Sequence, residues 1–403
     1  MISTNPALTR ILAVLGIGLA LASQATAAQT YNITDLGVAT GYPISEAQAI
    51  NAGGQVVGTL YDAGRTQARA FLYTGGPLNL LSSTIAMTAR DINDSGRIVG
   101  AMITGAGASH GFVYEGGVIG DLGTLGGAIS YGVGVNVGGL ICGASTNGDG
   151  RTHAFLVEGG IMYDIHVLAQ AAELMSPTPG NIIYSHFSEA RDINNGREIV
   201  GWFTAPNAAA VTTERAFYYR NERVTELSSL GGLNSRALAI SNNGHIVGWS
   251  QTGTGVRLAT MFYLNGQVRS LGTPTGTAGW SEAYAVNDSG VVVGSADGIA
   301  FVYEGGVNTD LNTRIPAGSG WTLQSANGIN NTGRIVGYGT VGGETHAFLL
   351  TPVTTPPGGG GGGGGTGGTL CGNGVGIPLA LATLCLMVMS TRRAAGQTHR
   401  THD

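Results

Sequence analysis

Apolar and polar residues alternate along most of the chain in short runs that are separated by glycine-containing turns. The stretch "AQAINAGGQVVGTL" (47–60) is typical, because Asn51, Gly53 and Gly54 separate two alternating runs. Alternation with a period of two predicts half-buried β-strands, and Asn with Gly between two such runs predicts a tight hairpin. The pattern therefore predicts an all-β, turn-rich protein.

This hairpin recurs along the chain at a nearly constant spacing. Each copy contains an "IVG"-like run that ends in a glycine, here called the repeat glycine; the seven are Gly58, Gly100, Gly143, Gly201, Gly248, Gly294 and Gly337. The intervals of 42, 43, 58, 47, 46 and 43 residues match one four-stranded propeller blade. In each unit the first strand ends in Ile-Asn or a relative, the second holds the repeat glycine, the third contains Ala-Phe or similar, and the fourth contains Asp-Leu or an equivalent.

The two ends of the repeat region complete each other. The last unit stops after "HAFLLTP" (346–352) and lacks a fourth strand, whereas "YNITDLGV" (31–38) matches the fourth-strand pattern. A ring that takes its final strand from the other terminus leaves no open sheet edge. We therefore predict a seven-bladed β-propeller over residues 28–352, closed by the N-terminal strand. A linear β-solenoid is the alternative, but it would need capping ends.

The lengths of the connections distinguish the two faces of the predicted ring. Seven residues always separate the turn Asn, or Ser241 in one copy, from the repeat glycine, and the third-to-fourth connection is nearly constant. The second-to-third and fourth-to-first connections vary in length, and in an up-and-down blade these two lie on one face, here called the variable face. Because binding residues concentrate on variable loops over a rigid scaffold, we expect a ligand to bind there.

Five residues in these loops are candidates for the binding face. His166, Tyr184 and His186 belong to the largest insertion (166–190), which has a short helical pattern near 168–174; Trp280 and Trp321 lie in two other loops. Indole faces stack well on sugars or on exposed side chains. The alternatives are a tolerated surface insertion and Trp side chains that pack on a neighbouring blade.

Composition and the motifs that the sequence lacks restrict the possible ligands and activities. The net charge is −5 and all 19 basic residues are Arg, so no nucleic-acid partner is expected. G-x-S-x-G, H-E-x-x-H and P-loop motifs are absent from the sequence. Equivalent histidines in separate blades, such as His110, His153 and His346, would point apart, which predicts hydrogen bonds within blades and no metal site. No catalytic residue or cofactor is predicted, and Cys142 takes a position where other repeats have Val.

Both termini carry targeting patterns. Residues 1–27 read as a secretory signal peptide that is cleaved near Ala27 or Ala28, with an uncleaved anchor as the alternative. A Pro/Gly-rich linker (353–370) precedes an apolar segment with a basic end (371–403). This tail resembles bacterial C-terminal sorting signals, which implies that a membrane protease or transpeptidase processes it at Cys371 and Gly372. A retained tail anchor and a buried or disordered tail are the alternatives.

The repeats resemble the bacterial extracellular HAF-repeat proteins. The resemblance covers residues 31–352 and rests on His-Ala-Phe at 153–155 and 346–348, on "DLGTLGG" (121–127), on the "INxxGxIVG" hairpins and on "LNTRIPAGSGWTLQSANGIN" (311–330). Other copies have Arg69, Arg215 and Thr260 at the His position. The family implies export and a repeat domain, but no established activity and no catalytic residue.

The sequence leaves three functions open. The leading hypothesis is an exported, non-enzymatic module, attached to the cell surface or outer envelope or released, that binds a glycan or protein through the variable face. The alternative is a hydrolase or lyase that acts on extracellular polysaccharide at the mouth of the propeller channel, and the third is an architectural module. A cluster of acids, His or Tyr converging at the channel mouth distinguishes the enzyme from the other two.

Overall fold

The computed structural model describes residues 29–168, 187–206, 212–274 and 279–353. These residues form seven four-stranded antiparallel sheets, arranged as a seven-bladed β-propeller as predicted. Among the described residues, helical structure is limited to residues 165–168 and a 3-10 turn over Leu311–Arg314. Within the described ranges, no helix is both long and apolar enough to cross a membrane.

The first strand, β1 (Tyr31–Gly37), belongs to the last blade, and the following strands build the blades in chain order. Blade one contains β2 (Ile44–Ile50), β3 (Val56–Tyr61), β4 (Ala68–Tyr73) and β5 (Asn79–Leu80). Blade two contains β6 (Met87–Ile92), β7 (Ile98–Ile103), β8 (Ser109–Glu115) and β9 (Val118–Asp121). Blade three contains β10 (Gly126–Val135), β11 (Ile141–Asn147), β12 (Thr152–Glu158) and β13 (Ile161–Asp164).

The remaining four blades repeat this order. Blade four contains β14 (Ser188–Ile193), β15 (Ile199–Pro206), β16 (Thr212–Arg220) and β17 (Arg223–Glu226). Blade five contains β18 (Gly231–Ile240), β19 (Ile246–Thr252), β20 (Arg257–Phe262) and β21 (Val268–Gly272). Blade six contains β22 (Ser281–Val286), β23 (Val292–Ala296), β24 (Ile299–Glu304) and β25 (Val307–Asp310). Blade seven contains β26 (Trp321–Ile329), β27 (Ile335–Val341) and β28 (Glu344–Pro352).

The ring closes through the two ends of the chain. Strand β1 pairs antiparallel with β28, with Tyr31 opposite Pro352 and Ile33 opposite Leu350. The sheet order is β1-β28-β27-β26, so the N-terminal strand is the fourth strand of blade seven. The predicted closure is confirmed.

The repeat glycine allows three strands of a blade to pack closely. A Cβ on Gly58 would lie 2.1 Å from the Glu46 carbonyl oxygen and 2.6 Å from Cζ of Phe71. The first strand bulges at this level, because the register shifts between Ala47 and Ala49. A bulge at the equivalent place interrupts the first strand of every blade. A side chain at the repeat glycine would therefore clash with the backbone and with the core Phe.

Blade five departs from the sequence alignment of the third strand. Gly248 pairs with Thr260, whereas Gly58 pairs with Phe71 in blade one. Thr260 therefore takes the Phe position, and Leu258, not Thr260, takes the His position. This register keeps a hydrogen bond between blades that is also present elsewhere in the ring. The Ala259 amide donates to Ser281 Oγ at 2.9 Å, just as the Ala154 amide donates to Ser188 Oγ at 3.0 Å.

The core is divided into layers between blades. The described residues contain seven clusters of buried apolar side chains, and each cluster joins two neighbouring blades. Cys142 is fully buried in the cluster between blades three and four, as expected for a small apolar residue. Its burial raises the pKa of the thiol. Each blade is thus stabilised mainly by its neighbours, and an open ring would expose one such layer.

Candidate functional site

The first strands of all seven blades line a cavity of about 650 Å³ on the ring axis. Their side chains face this channel in layers because the strands alternate sides with a period of two. The turns after these strands surround a smaller cavity of about 180 Å³ at the opposite end. The larger cavity continues toward the variable face, where the first strands begin.

The turn end of the channel is tied together by the turn asparagines. Asn93 Nδ2 donates to the Asn136 carbonyl of the next blade at 2.9 Å, and its Oδ1 accepts from the amide of Arg97 at 2.9 Å. Equivalent bonds between blades start from five other asparagines, namely Asn51, Asn136, Asn194, Asn287 and Asn330. Ser241 takes the seventh position and cannot donate in this way. The polar groups at this end therefore serve mainly to hold the ring together.

Toward the variable face, aromatic rings and guanidinium groups form a ladder across blades four and five. Cζ of Arg236 lies 3.8 Å from the ring centroid of Trp202 and 5.7 Å from that of Trp249. Cζ of Arg257 lies 4.0 Å from the Trp249 centroid. Each contact is within the range of a cation–π interaction. These alternating Trp rings and Arg guanidinium groups form an aromatic wall beside the channel.

Carboxylates hold the ladder in place. Nε of Arg236 donates to Glu214 at 2.7 Å, and Arg257 forms an ion pair with Glu282. Burial, followed by the Glu282 carboxylate, raises the pKa of Tyr284. Tyr284 is therefore protonated at neutral pH and can donate a hydrogen bond.

A second acid holds the neighbouring part of this wall. Glu189 accepts hydrogen bonds from Tyr131 and, at 3.0 Å, from Nε1 of Trp202. Burial and the same carboxylate raise the pKa of Tyr131. This tyrosine is also protonated at neutral pH.

Two half-buried aspartates link blades below this wall. Asp91 Oδ2 accepts from the Val135 amide at 2.8 Å, and Asp192 Oδ2 accepts from the Ile240 amide at 2.8 Å. Burial raises the pKa of Asp91 to about 6. Burial and the nearby Asp91 raise the pKa of Asp192 to about 7. Both carboxyl groups serve as acceptors for the backbone of the next blade.

The predicted binding-face residues occupy different environments. Trp280 is 42% exposed and shares a surface cavity of about 530 Å³ with Arg257, Glu282 and Tyr284, so it belongs to the channel mouth. Trp321 packs edge-on against Phe348 with the ring centroids 6.1 Å apart. His166 is buried and stacks on His153 with the centroids 4.2 Å apart. Several other predicted residues lie outside the described residues, namely Tyr184, His186, Ala27, Ala28, Cys371 and Gly372.

The histidines of the His-Ala-Phe motif pair with the aspartates of the Asp-Leu motif. Nδ1 of His153 lies 2.7 Å from Asp164, on the adjacent strand of the same blade. His110 pairs in the same way with Asp121, and Arg215 with Glu226 in blade four. Within the described ranges, no group of three or more His, Cys, Asp or Glu side chains could hold a metal ion.

The two tryptophans of the ladder were not predicted from the sequence as site residues. Trp202 and Trp249 directly follow repeat glycines, in two copies of "IVGW". The equivalent residue is small in four blades, namely Thr59, Ala101, Ala144 and Ser295. An aromatic side chain at a position that is otherwise small was the available signal.

No family model matches the chain, and no curated protein matches it. Solved structures share the fold at low identity. The β-propeller domain of the Trilobed protease from Pyrococcus furiosus is 10% identical with a TM-score of 0.49, and the match covers 81% of this chain and 94% of that one. A gluconolactonase from Xanthomonas campestris is 12% identical with a TM-score of 0.37, over 80% of this chain and 90% of that one.

A third similar structure is a puromycin-hydrolyzing peptidase from Mycobacterium tuberculosis, 12% identical with a TM-score of 0.42, over 81% of this chain and 55% of that one. These likenesses concern the fold. The prediction that this protein is not an enzyme is wrong as it stood, because it rested on absent motifs alone, and the propeller fold hosts enzymes and binding modules alike.

Proposed function

We propose that the protein binds an extracellular glycan at the channel mouth on the variable face. The observation that carries this proposal is the cluster of Arg257, Trp280, Glu282 and Tyr284, in which an exposed indole, an ion pair and a phenol line one surface cavity. Trp249 is buried beneath the Arg257 guanidinium and helps to hold it in place. Aromatic faces offer apolar area to the C–H face of a sugar ring. The charged and phenolic groups beside them match sugar hydroxyls as donors and acceptors.

We also propose that the chain is an HAF-repeat protein that is exported and held at the cell surface. The pairing of His153 with Asp164 and of His110 with Asp121 supports the family assignment, because it gives the two repeated motifs a shared physical role. The signal-like residues 1–27 and the tail 371–403 support export and processing by a membrane protease or transpeptidase. N-terminal sequencing and mass spectrometry of the tail, on protein from the native host, test this proposal. A protein that still carries the residues before Ala27 contradicts cleavage of the signal peptide. An intact tail contradicts its processing.

A second candidate function is a hydrolase or lyase that acts on the same polysaccharide. It is favoured by the acids and tyrosines that converge on the channel: Glu282, Tyr284 and Tyr338 all line the larger cavity. Such a convergence was the feature expected to distinguish an enzyme. Incubation of the protein with extracellular polysaccharides tests this candidate. A hydrolase would release new reducing ends, and a lyase would release unsaturated sugars that absorb ultraviolet light.

The binding proposal is tested by a glycan array probed with the full-length protein and with two matched variants. Trp280→Ala removes an exposed indole from the mouth, whereas Tyr163→Ala removes an exposed ring from the outer strand β13. Loss of one stacking partner is expected to weaken binding about 2- to 10-fold in Trp280→Ala alone. Equal losses in both variants, or no glycan bound by the unmodified protein, would contradict the proposal.

A further inference from the structure

Two guanidinium groups in the channel have no carboxylate partner closer than 3.9 Å among the described residues. Arg90 and Arg191 take the same position in identical stretches, "ARDIN" at 89–93 and at 190–194, and both line the larger cavity. The other five blades have uncharged residues in this layer, namely Gln48, Val133, Leu238, Tyr284 and Asn327. The layer therefore carries two positive charges and no negative one.

The nearest acids are already engaged. Asp91 accepts from the Val135 amide and from the Ile92 amide, each at 2.8 Å. Asp192 accepts from Ile240 at 2.8 Å and from Ile193 at 2.7 Å. These carboxyl groups are therefore held by backbone amides.

Glu189 also fails to neutralise the pair. It lies 3.9 Å from Arg191 Nη1 and already accepts from Tyr131 and Trp202. Among the described residues, Arg90 forms no ion pair within 4 Å; its guanidinium lies over the Tyr131 ring, 5.5 Å from the centroid.

The contrast with the two arginines of the ladder is clear. Arg236 and Arg257 each form an ion pair, with Glu214 and Glu282 respectively. By comparison, Nε of Arg191 is buried without a hydrogen-bond partner. Arg90 is exposed to the channel and Arg191 is half-buried, so a ligand in the cavity can reach both guanidinium groups. Two like charges that face one cavity repel each other, and an anion bound between them would offset that repulsion.

We infer that this layer is an anion subsite and that the ligand of the channel is an acidic glycan. The carboxylate or sulfate of the sugar binds Arg90 and Arg191, while the sugar ring contacts Trp280 at the mouth. The guanidinium fork suits both anions, because it presents paired N–H donors to two oxygens. This inference rests on the proposed function in placing a glycan in the channel, but the anion subsite can be tested separately.

The test uses calorimetric titration of the full-length protein with trigalacturonic acid, with its methyl ester and with a sulfated oligosaccharide. The acid and the ester share a sugar skeleton and differ in charge, and the sulfated arm distinguishes the two anions. We expect the favoured anion to bind about 10- to 100-fold more tightly than the ester, since hydrogen bonds to charged groups are stronger. Arg90→Gln and Arg191→Gln are each expected to abolish this difference.

Arg97→Gln is the matched control, because it removes the same charge from a surface pair with Glu115 beside a turn at the opposite end of the ring. A second measurement is the melting temperature in sodium sulfate against sodium chloride at equal ionic strength. It reports on the anion subsite without any sugar, and it also shows whether each variant is folded.

The possible results separate the two proposals. If Arg90→Gln and Arg191→Gln lose the charge-dependent binding and Arg97→Gln retains it, the glycan site and the anion subsite are both supported. Equal binding of acidic and neutral sugars, unaffected by the channel variants, overturns the anion subsite and leaves the glycan site standing. Sulfate stabilisation lost only in the channel variants, with no sugar bound, keeps the subsite and overturns the glycan proposal. The absence of both effects overturns both.

Discussion

The carboxylate of Asp35 in β1 lies 2.9 Å from Nδ1 of His346 in β28, although 311 residues separate them in the chain. Within blade three the same pair, His153 with Asp164, joins neighbouring strands of one continuous segment. The closing contact therefore reuses the pairing of an ordinary blade. The ring is sealed by the same His–Asp pair that joins the outer strands of blades two and three.

A cross-link across the closing strands should form readily. Asn32 and Thr351 lie directly opposite each other in the β1–β28 pair, at a spacing that accommodates a disulfide. We expect Asn32→Cys with Thr351→Cys to oxidise and to stabilise the protein by about 2–4 kcal/mol. Peptide mapping under non-reducing conditions identifies the linked peptide, with each single variant as control. Recovery of both introduced cysteines as free thiols would show that β1 does not pair there.

Ser241→Asn should complete the ring of turn asparagines. The new amide can donate to the carbonyl of Asn287, as Asn194 Nδ2 donates to Ser241 at 3.1 Å. We expect a gain of about 0.5–1.5 kcal/mol in the free energy of unfolding, the usual net value of a hydrogen bond. Asn93→Ala, which removes an existing link, should destabilise the protein. Urea denaturation measures both, and an unchanged or lower stability of Ser241→Asn would contradict this account.

Gly58→Ala should be strongly destabilising. The added methyl would overlap the Glu46 carbonyl and the Phe71 ring, and overpacking costs about 1–3 kcal/mol even where side chains can shift. Gly76→Ala is the matched control, because no atom lies within 4 Å of its added Cβ. Thermal unfolding compares the two. If they melt at the same temperature, the close approach at the repeat glycine is not a packing constraint.

Stability should fall as the pH rises from about 4 to 7. Burial raises the pKa of Asp192 from 3.8 to about 7 and that of Asp91 to about 6, so the folded protein holds protons that the unfolded chain releases. Their contribution is complete below pH 3.8 and is lost as the pH passes these raised values. We expect Asp91→Asn with Asp192→Asn to flatten this slope in urea denaturation at several pH values.

The exposed carboxylate variant Glu115→Gln is the control for that series. It should leave the slope unchanged. An equal slope in the double variant and the unmodified protein would mean that other groups cause the pH dependence.

Much of the fold could be predicted from the sequence because each blade is encoded locally. The repeat glycine lies seven positions after the turn residue in every blade, and the fourth-strand pattern after Tyr31 predicts the closure. The site was harder to predict because it combines residues from several blades. Trp202 and Arg236 are far apart in sequence, and only the ring brings them to 3.8 Å.

Two local sequence patterns led to wrong predictions. His166 begins a long insertion and was therefore taken as a binding residue, but its ring stacks on His153 in the interior. In blade five the nearest Phe, Phe262, is offset by two residues from the true register at Thr260. Neither outcome could be recognised without the contacts between neighbouring strands and blades.

The most direct test of the central claim is a crystal structure of the protein with a bound acidic oligosaccharide that has been selected by titration. This account predicts a sugar ring beside Trp280, with an anionic oxygen about 3 Å from the guanidinium of Arg90 or Arg191. A ligand bound at the turn end of the channel, or on the outer strands of a blade, would contradict it.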